Sequence, residues 1–127
     1  MTKEKIHLEY ILNTVSPNVL WTHLSTPSGL SEWFSDDVKL NGKQYIFIWD
    51  KSEQEAEQIG IRLNNFIRFR WMEDSETKYY FEFKIYVDEI TQDTVLEITD
   101  FAEPDEEEDT ISLWNTQIEN LKRSLGA

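Results

Sequence analysis

Residues Ser25–Val38 read STPSGLSEWFSDDV, with the adjacent aromatics Trp33 and Phe34 set among small and acidic residues. Ser28 is expected to cap a short helix that Gly29 and Leu30 begin, and Trp33 and Phe34 follow Leu30 at spacings of three and four. Just upstream, SPNVLWTHLST offers Ser16 as a cap, Pro17 at the first helical position and Leu20 and Leu24 one turn apart. Two helices this short are not stable on propensity alone. They need an apolar anchor on something larger, and Trp33 and Phe34 are expected to dock the pair on a sheet edge.

The rest of the chain supplies that sheet. KIHLEYIL alternates Ile6, Leu8, Tyr10 and Leu12 against His7 and Glu9, the period of a half-buried strand. After Val38, the Asn41-Gly42 dipeptide between apolar runs marks a hairpin. AEQIGIRL alternates Ile59, Ile61 and Leu63. FIRFRW sets Ile67, Phe69 and Trp71 against Arg68 and Arg70. KYYFEFKIYV puts Tyr79, Phe81, Phe83, Ile85 and Val87 on one face, and TVLEITDF turns Leu96 and Ile98 inward. Short turns between successive runs imply an antiparallel meander. DKSEQEAEQ, from Asp50, reads as a solvated polar loop.

The C-terminus reads as one long helix. Ile111, Trp114, Ile118, Leu121 and Leu125 form a continuous stripe, while a second line through Leu113 and Ala127 is sparse, so no homodimer through the helix back is expected. Glu106 to Asp109 precede or open the helix and Lys122 and Arg123 close it, as the helix dipole favours, with Gly126 as the C-cap.

Composition narrows the function. The 127 residues carry 25 acidic and 12 basic side chains, a formal net charge of −13, yet 39% are hydrophobic and 13% aromatic. Such a chain can bury a core, but it repels nucleic-acid phosphates and anionic membrane surfaces. There is no cysteine, which removes disulfides, thiolate zinc sites and cysteine nucleophiles. MTKEKIHLEY lacks the apolar core of a signal peptide and no run approaches a membrane span, so a cytoplasmic address is expected.

Sites for chemistry are sparse. His7 and His23 have no acidic or hydroxyl partner at a triad or zinc spacing. The run AEPDEEEDT lacks the glycine of a calcium loop and feeds a helix N-terminus. Glu82, Glu97, Arg68 and Arg70 fit the outward positions of their strands. No catalytic residue, cofactor or metal is expected. The aromatics are the richest feature: Trp49, Phe69, Trp71, Phe81, Phe83 and Trp114 can point into the space between sheet and helix. There they either fill a small core or line a hollow one.

The order strand, two short helices, antiparallel meander and long amphipathic helix resembles the START-like, or Bet v 1-like, superfamily. More narrowly, it resembles the branch related to the Hsp90-ATPase-activator C-terminal domain. VLWTHLSTPSGLSEWFSDDV, FIRFRW, YYFEFKI, LEITDFAE and LWNTQIENLKRSLG carry the likeness, from about Ile6 to Leu125. It implies one α+β helix-grip domain over residues 1–127, with a curved antiparallel sheet of about six strands wrapped around the C-terminal helix. It also implies a cavity between helix and sheet, bordered by Trp33 and Phe34 and lined by the six rings above and Ile118. The expected function is a non-enzymatic binding module holding a small apolar or amphipathic ligand there. A protein-interaction or chaperone-related regulatory domain is the first alternative and a cyclase- or hydrolase-type enzyme the second.

Overall fold

The structure, a computed structural model, describes residues 2–13 and 15–126; Ala127, on the sparse second line of the terminal helix, lies outside them. Strand β1 (Glu4–Ile11) is followed by helices α1 (Pro17–Ser25) and α2 (Pro27–Leu30). Strands β2 (Asp37–Asn41), β3 (Gln44–Trp49), β4 (Ser52–Arg62), β5 (Phe66–Trp71), β6 (Phe81–Val87) and β7 (Thr94–Ala102) come next, and helix α3 (Glu107–Leu125) ends the chain. Short 3-10 turns at Met72–Asp74 and Pro104–Glu106 link β5 to β6 and β7 to α3.

All seven strands join one antiparallel sheet in the order β1-β7-β6-β5-β4-β3-β2. The sheet thus has seven strands against about six expected, with both arms of the Asn41-Gly42 hairpin paired and β2 a short, mostly exposed edge. Gly42 (φ 64°) is the first central residue of that turn, and positive φ there alone is the type II′ pattern.

The alternating runs place their rings as the period requires. Phe69 pairs with Phe81 across β5 and β6, and Ile67 with Phe83; all four are buried on the face toward α3. On the opposite face Arg68 reaches Glu82 at 2.9 Å and lies 4.0 Å from the Tyr80 ring centroid, while Arg70 donates to the Tyr79 carbonyl. The α3 stripe buries Trp114, Ile118 and Leu121, and Gly126 caps the helix in the left-handed region at φ 73°.

Three local expectations are corrected. Thr26, not Ser28, caps α2: its hydroxyl accepts from the Gly29 N–H at 3.0 Å, and Pro27 takes the first helical position. Trp33 and Phe34 follow the helix in a turn, and they do not stop at an edge. Although α2 packs on edge strand β2, the Phe34 ring reaches Phe47 of β3 and Phe81 of β6, at 5.0 and 5.8 Å between centroids. Last, the segment after Asp50 is the first half of β4, an eleven-residue strand, rather than a loop. A register shift between Gln58 and Gly60 re-phases β4 and sets Ile61 opposite the buried Ile67; Ile61, at the end of the strand, and Leu63 beyond it are nevertheless exposed, whereas Ala56 is buried.

Candidate functional site

The aromatic residues on the inner face divide into a packed core and an open end. Phe69, Phe81, Phe83 and Ile118 are almost fully buried. Phe34 fills the middle, with Phe81 and Trp114 stacked beside it at 5.8 and 5.9 Å. Beyond Phe34 the packing stops and a cavity of about 430 Å³ remains. Its apolar walls are Phe34, Trp49, Trp71 and Trp114, with Tyr79, Tyr80 and Phe101 around them and the exposed Leu113 at its rim. Trp33 does not reach this space. It borders a shallower groove of about 780 Å³ that shares Phe34, Trp49, Leu113 and Gln117 with the cavity.

The polar lining comes from positions that carry no apolar signal. Ser52 and Gln54 of β4 pair with Trp49 and Phe47, and both line the cavity. Asp100 continues the inward line of Leu96 and Ile98 on β7, so a carboxyl sits where the strand pattern calls for an apolar side chain. Its Oδ2 accepts from Trp114 Nε1 at 2.9 Å and its Oδ1 from the Phe101 N–H at 2.7 Å. Burial nevertheless pushes the Asp100 carboxyl above its ordinary value of 3.8, against the pull of those two bonds and of nearby Lys3; Asp74 adds a smaller push upward. Lys3 reaches Asp74 at 3.9 Å and lies 5.3 Å from the Tyr79 ring centroid.

One turn after Trp114, Gln117 faces the same space. Its Nε2 donates to the Phe34 carbonyl at 3.3 Å, which also accepts from Trp49 Nε1 at 3.2 Å. Those bonds fix which way the amide points. Its Oε1 is buried and has no hydrogen-bond partner among the described residues, an arrangement that costs free energy unless something else supplies a donor. The strand and helix periods marked both positions: Asp100 two residues after Ile98, Gln117 three after Trp114. A polar side chain at such a position gives no hydrophobic signal, so neither stands out in the sequence.

The raised Asp100 carboxyl has a consequence for stability. The folded state holds this proton more tightly than the unfolded chain, so its contribution is complete below the ordinary carboxylate value and is lost as pH rises through the folded-state value. Against the Asp100→Asn variant, the wild-type melting temperature is therefore expected to fall steadily as pH rises from 3, then level off. A constant or rising difference would refute the burial argument.

Elsewhere the polar clusters are surface arrangements. His7 reaches Glu97 at 3.6 Å on the outer face, and Glu9 accepts from the Tyr86 hydroxyl at 2.9 Å. His7, Glu9 and Glu97 lie close enough together to share a cation, as do Glu103, Asp105 and Glu106; most of these side chains are exposed.

His23 has partners that sequence spacing hid. Its Nε2 lies 2.8 Å from Glu32 Oε2 and 3.2 Å from Ser124 Oγ, while Nδ1 faces the Val19 carbonyl at 2.9 Å. Ser124 donates to Glu32 at 2.9 Å. Carboxylate and hydroxyl share one ring nitrogen, so the orienting geometry of a triad is absent and the cluster clasps α1 to α3. Among the described residues no helix is long and apolar enough to cross a membrane.

Solved structures share this architecture. A Bacteroides fragilis protein, determined by NMR in solution, is 48% identical over 98% of this chain and 92% of its own, with a TM-score of 0.71. The Aha1 dimer of Colwellia psychrerythraea aligns over 96% of both chains at a TM-score of 0.79, with 18% identity, a likeness of fold alone. A Bacillus halodurans protein aligns at 0.75 and 17% identity over 98% of this chain and 99% of its own. The search of curated proteins returns no match. The profile of the START-like superfamily domain covers residues 1–127, the whole span that carries the sheet, the helix that closes it and the cavity between them. By that match the chain belongs to the START-like superfamily.

Proposed function

We propose that the chain acts as one START-like unit, a non-enzymatic cytoplasmic module that holds a small apolar or amphipathic molecule in the cavity between sheet and α3. The observation behind this reading is the cavity itself: about 430 Å³, walled by Phe34, Trp49, Trp71 and Trp114, with a buried carboxyl and an unpaired amide oxygen among the rings. That is the usual make-up of a small-molecule site, apolar walls giving affinity and a few polar groups giving orientation. START-like domains bind small hydrophobic ligands, and the rings here continue the sheet and helix faces that define the fold.

Mass spectrometry of the purified protein, native and then denatured, tests the reading. A stoichiometric small molecule that is present in the first spectrum and released in the second is expected. A ligand at a hundred times its dissociation constant stabilises the folded state by about 2.7 kcal/mol, a shift of several degrees in melting temperature. The Ser52→Trp variant puts an indole into the cavity from a strand position that tolerates aromatics. It is expected to fold, melt near the wild type and lose that shift. An unchanged shift in Ser52→Trp would place the ligand elsewhere.

A second reading, a protein-interaction or chaperone-related domain, draws on the charge of −13 and on the likeness to Aha1 of Colwellia psychrerythraea. It requires association with a basic partner that weakens steeply with salt.

A further inference from the structure

The charged and unpaired groups of the cavity are lopsided in sign. Among the described residues, Glu73, Asp74 and Asp100 line it against one ammonium, that of Lys3, already drawn to Asp74. Gln117 adds an acceptor with no donor. The walls are largely aromatic rings, whose faces attract cations and repel anions. A chain of net charge −13 deepens that potential. An anionic amphiphile such as a fatty acid would meet like charge on entry. A neutral apolar molecule would leave the Gln117 oxygen as it stands and the Asp100 carboxyl with only the pull of Lys3, itself drawn to Asp74.

We propose that the cavity selects an organic ammonium ion, a primary amine on a flat apolar body, with its N–H groups toward the wall formed by Asp100 and Gln117 and its body between the tryptophans. Asp100 and Gln117 belong to one local structure. Trp114 binds the Asp100 carboxyl, and Gln117 follows Trp114 by one turn of α3. An amine supplies charge for the carboxylate and, once the Gln117 side chain turns its buried oxygen toward the cavity, a donor for that oxygen. Charge-assisted hydrogen bonds of this kind are among the stronger ones, and partial desolvation in the cavity raises the cation–π contribution.

This inference rests on the binding reading above, and its test separates the two. Titration calorimetry at low salt compares three indoles of similar size: cationic tryptamine, neutral tryptophol and anionic indole-3-acetate. Tryptamine is expected to bind at least about tenfold tighter than tryptophol, or about 1.4 kcal/mol, with indole-3-acetate weakest. Asp100→Asn and Gln117→Leu are each expected to weaken tryptamine by a larger factor than tryptophol, so that the tryptamine advantage shrinks. Two substitutions guard against one of them disturbing the fold, which melting curves monitor. Equal affinity for tryptamine and tryptophol overturns the ammonium inference and leaves the pocket standing. So does an advantage that survives both substitutions, since the overall charge would then be its source. Failure of all three indoles, together with a co-purifying neutral molecule, overturns the ammonium inference alone. The same failure with a clean mass spectrum overturns both readings.

Discussion

Replacing Phe34 by alanine is expected to cost about 3–5 kcal/mol of folding stability, the range for removing a large ring from a packed core. A domain has about 5–15 kcal/mol in all, so this one ring carries a large share of the margin. The reason lies in its surroundings. Phe34 is 5% exposed, and Trp33, Phe47, Trp49, Phe81, Phe83 and Trp114 all lie within 6.0 Å of it, centroid to centroid. They belong to the turn after α2, to β3, to β6 and to α3, so no single element can shift to close the gap. The main-chain carbonyl of residue 34 would keep its bonds from Trp49 and Gln117, so the loss is one of ring packing. Phe34→Leu, which keeps much of the volume, should cost clearly less. Urea unfolding followed by tryptophan fluorescence gives both numbers, with the slope expected to match the wild type. A loss below about 1 kcal/mol for Phe34→Ala would show that the ring cluster does not hold these elements together. Leu113→Ala at the exposed rim is the contrast, expected within about 0.5 kcal/mol of wild type.

Phe34 also marks where sequence reading works and where it stops. Rings on one face of β5, β6 and α3 are legible because burial on one side imposes a period of two or of three to four. The family likeness is legible for the same reason, since it rests on the order of those periodic segments. The cavity is legible only as a place. Whether rings fill a space or border it depends on how strands and helix meet, and here Phe34 closes the middle while Trp49, Trp71 and Trp114 are left at an opening. The first half of β4 reads as a loop because it is polar on both faces, Ser52 and Gln54 toward the cavity and Glu53 and Glu55 toward solvent. A strand whose inner face is wet loses the alternation by which strands are recognised. Loss of apolar signal on the inner face of a sheet is therefore itself a sign of a site, and Asp100 on β7 and Gln117 on α3 repeat it.

The α1–α2 turn carries the second large effect. Gly29→Ala is expected to destabilise by more than the roughly 1–3 kcal/mol usual for an overpacked core, although alanine is the better helix former. Gly29 needs no unusual backbone angle. It needs space: a Cβ there would overlap the Thr22 carbonyl oxygen and fall 2.6 Å from His23 Cα, both main-chain atoms that cannot rotate away. The Thr22 carbonyl is already engaged, accepting from the Thr26 N–H at 3.3 Å and the Thr26 hydroxyl at 2.7 Å. That same hydroxyl oxygen accepts from the Gly29 N–H. Moving α2 outward to make room would pull on the cap and carry Trp33 and Phe34 with it, so near-ultraviolet circular dichroism should lose aromatic signal as the melting temperature drops. Gly42 supplies the control. Its φ is 64°, with nothing within 4 Å of an added Cβ, so Gly42→Ala tests backbone angle without crowding and should cost about 1–2 kcal/mol. If thermal melting ranks Gly42→Ala as the worse of the two, α2 does not rest on α1 as tightly as Gly29 requires. Trp33 and Phe34 would then need some other support than the helix pair that delivers them to the core.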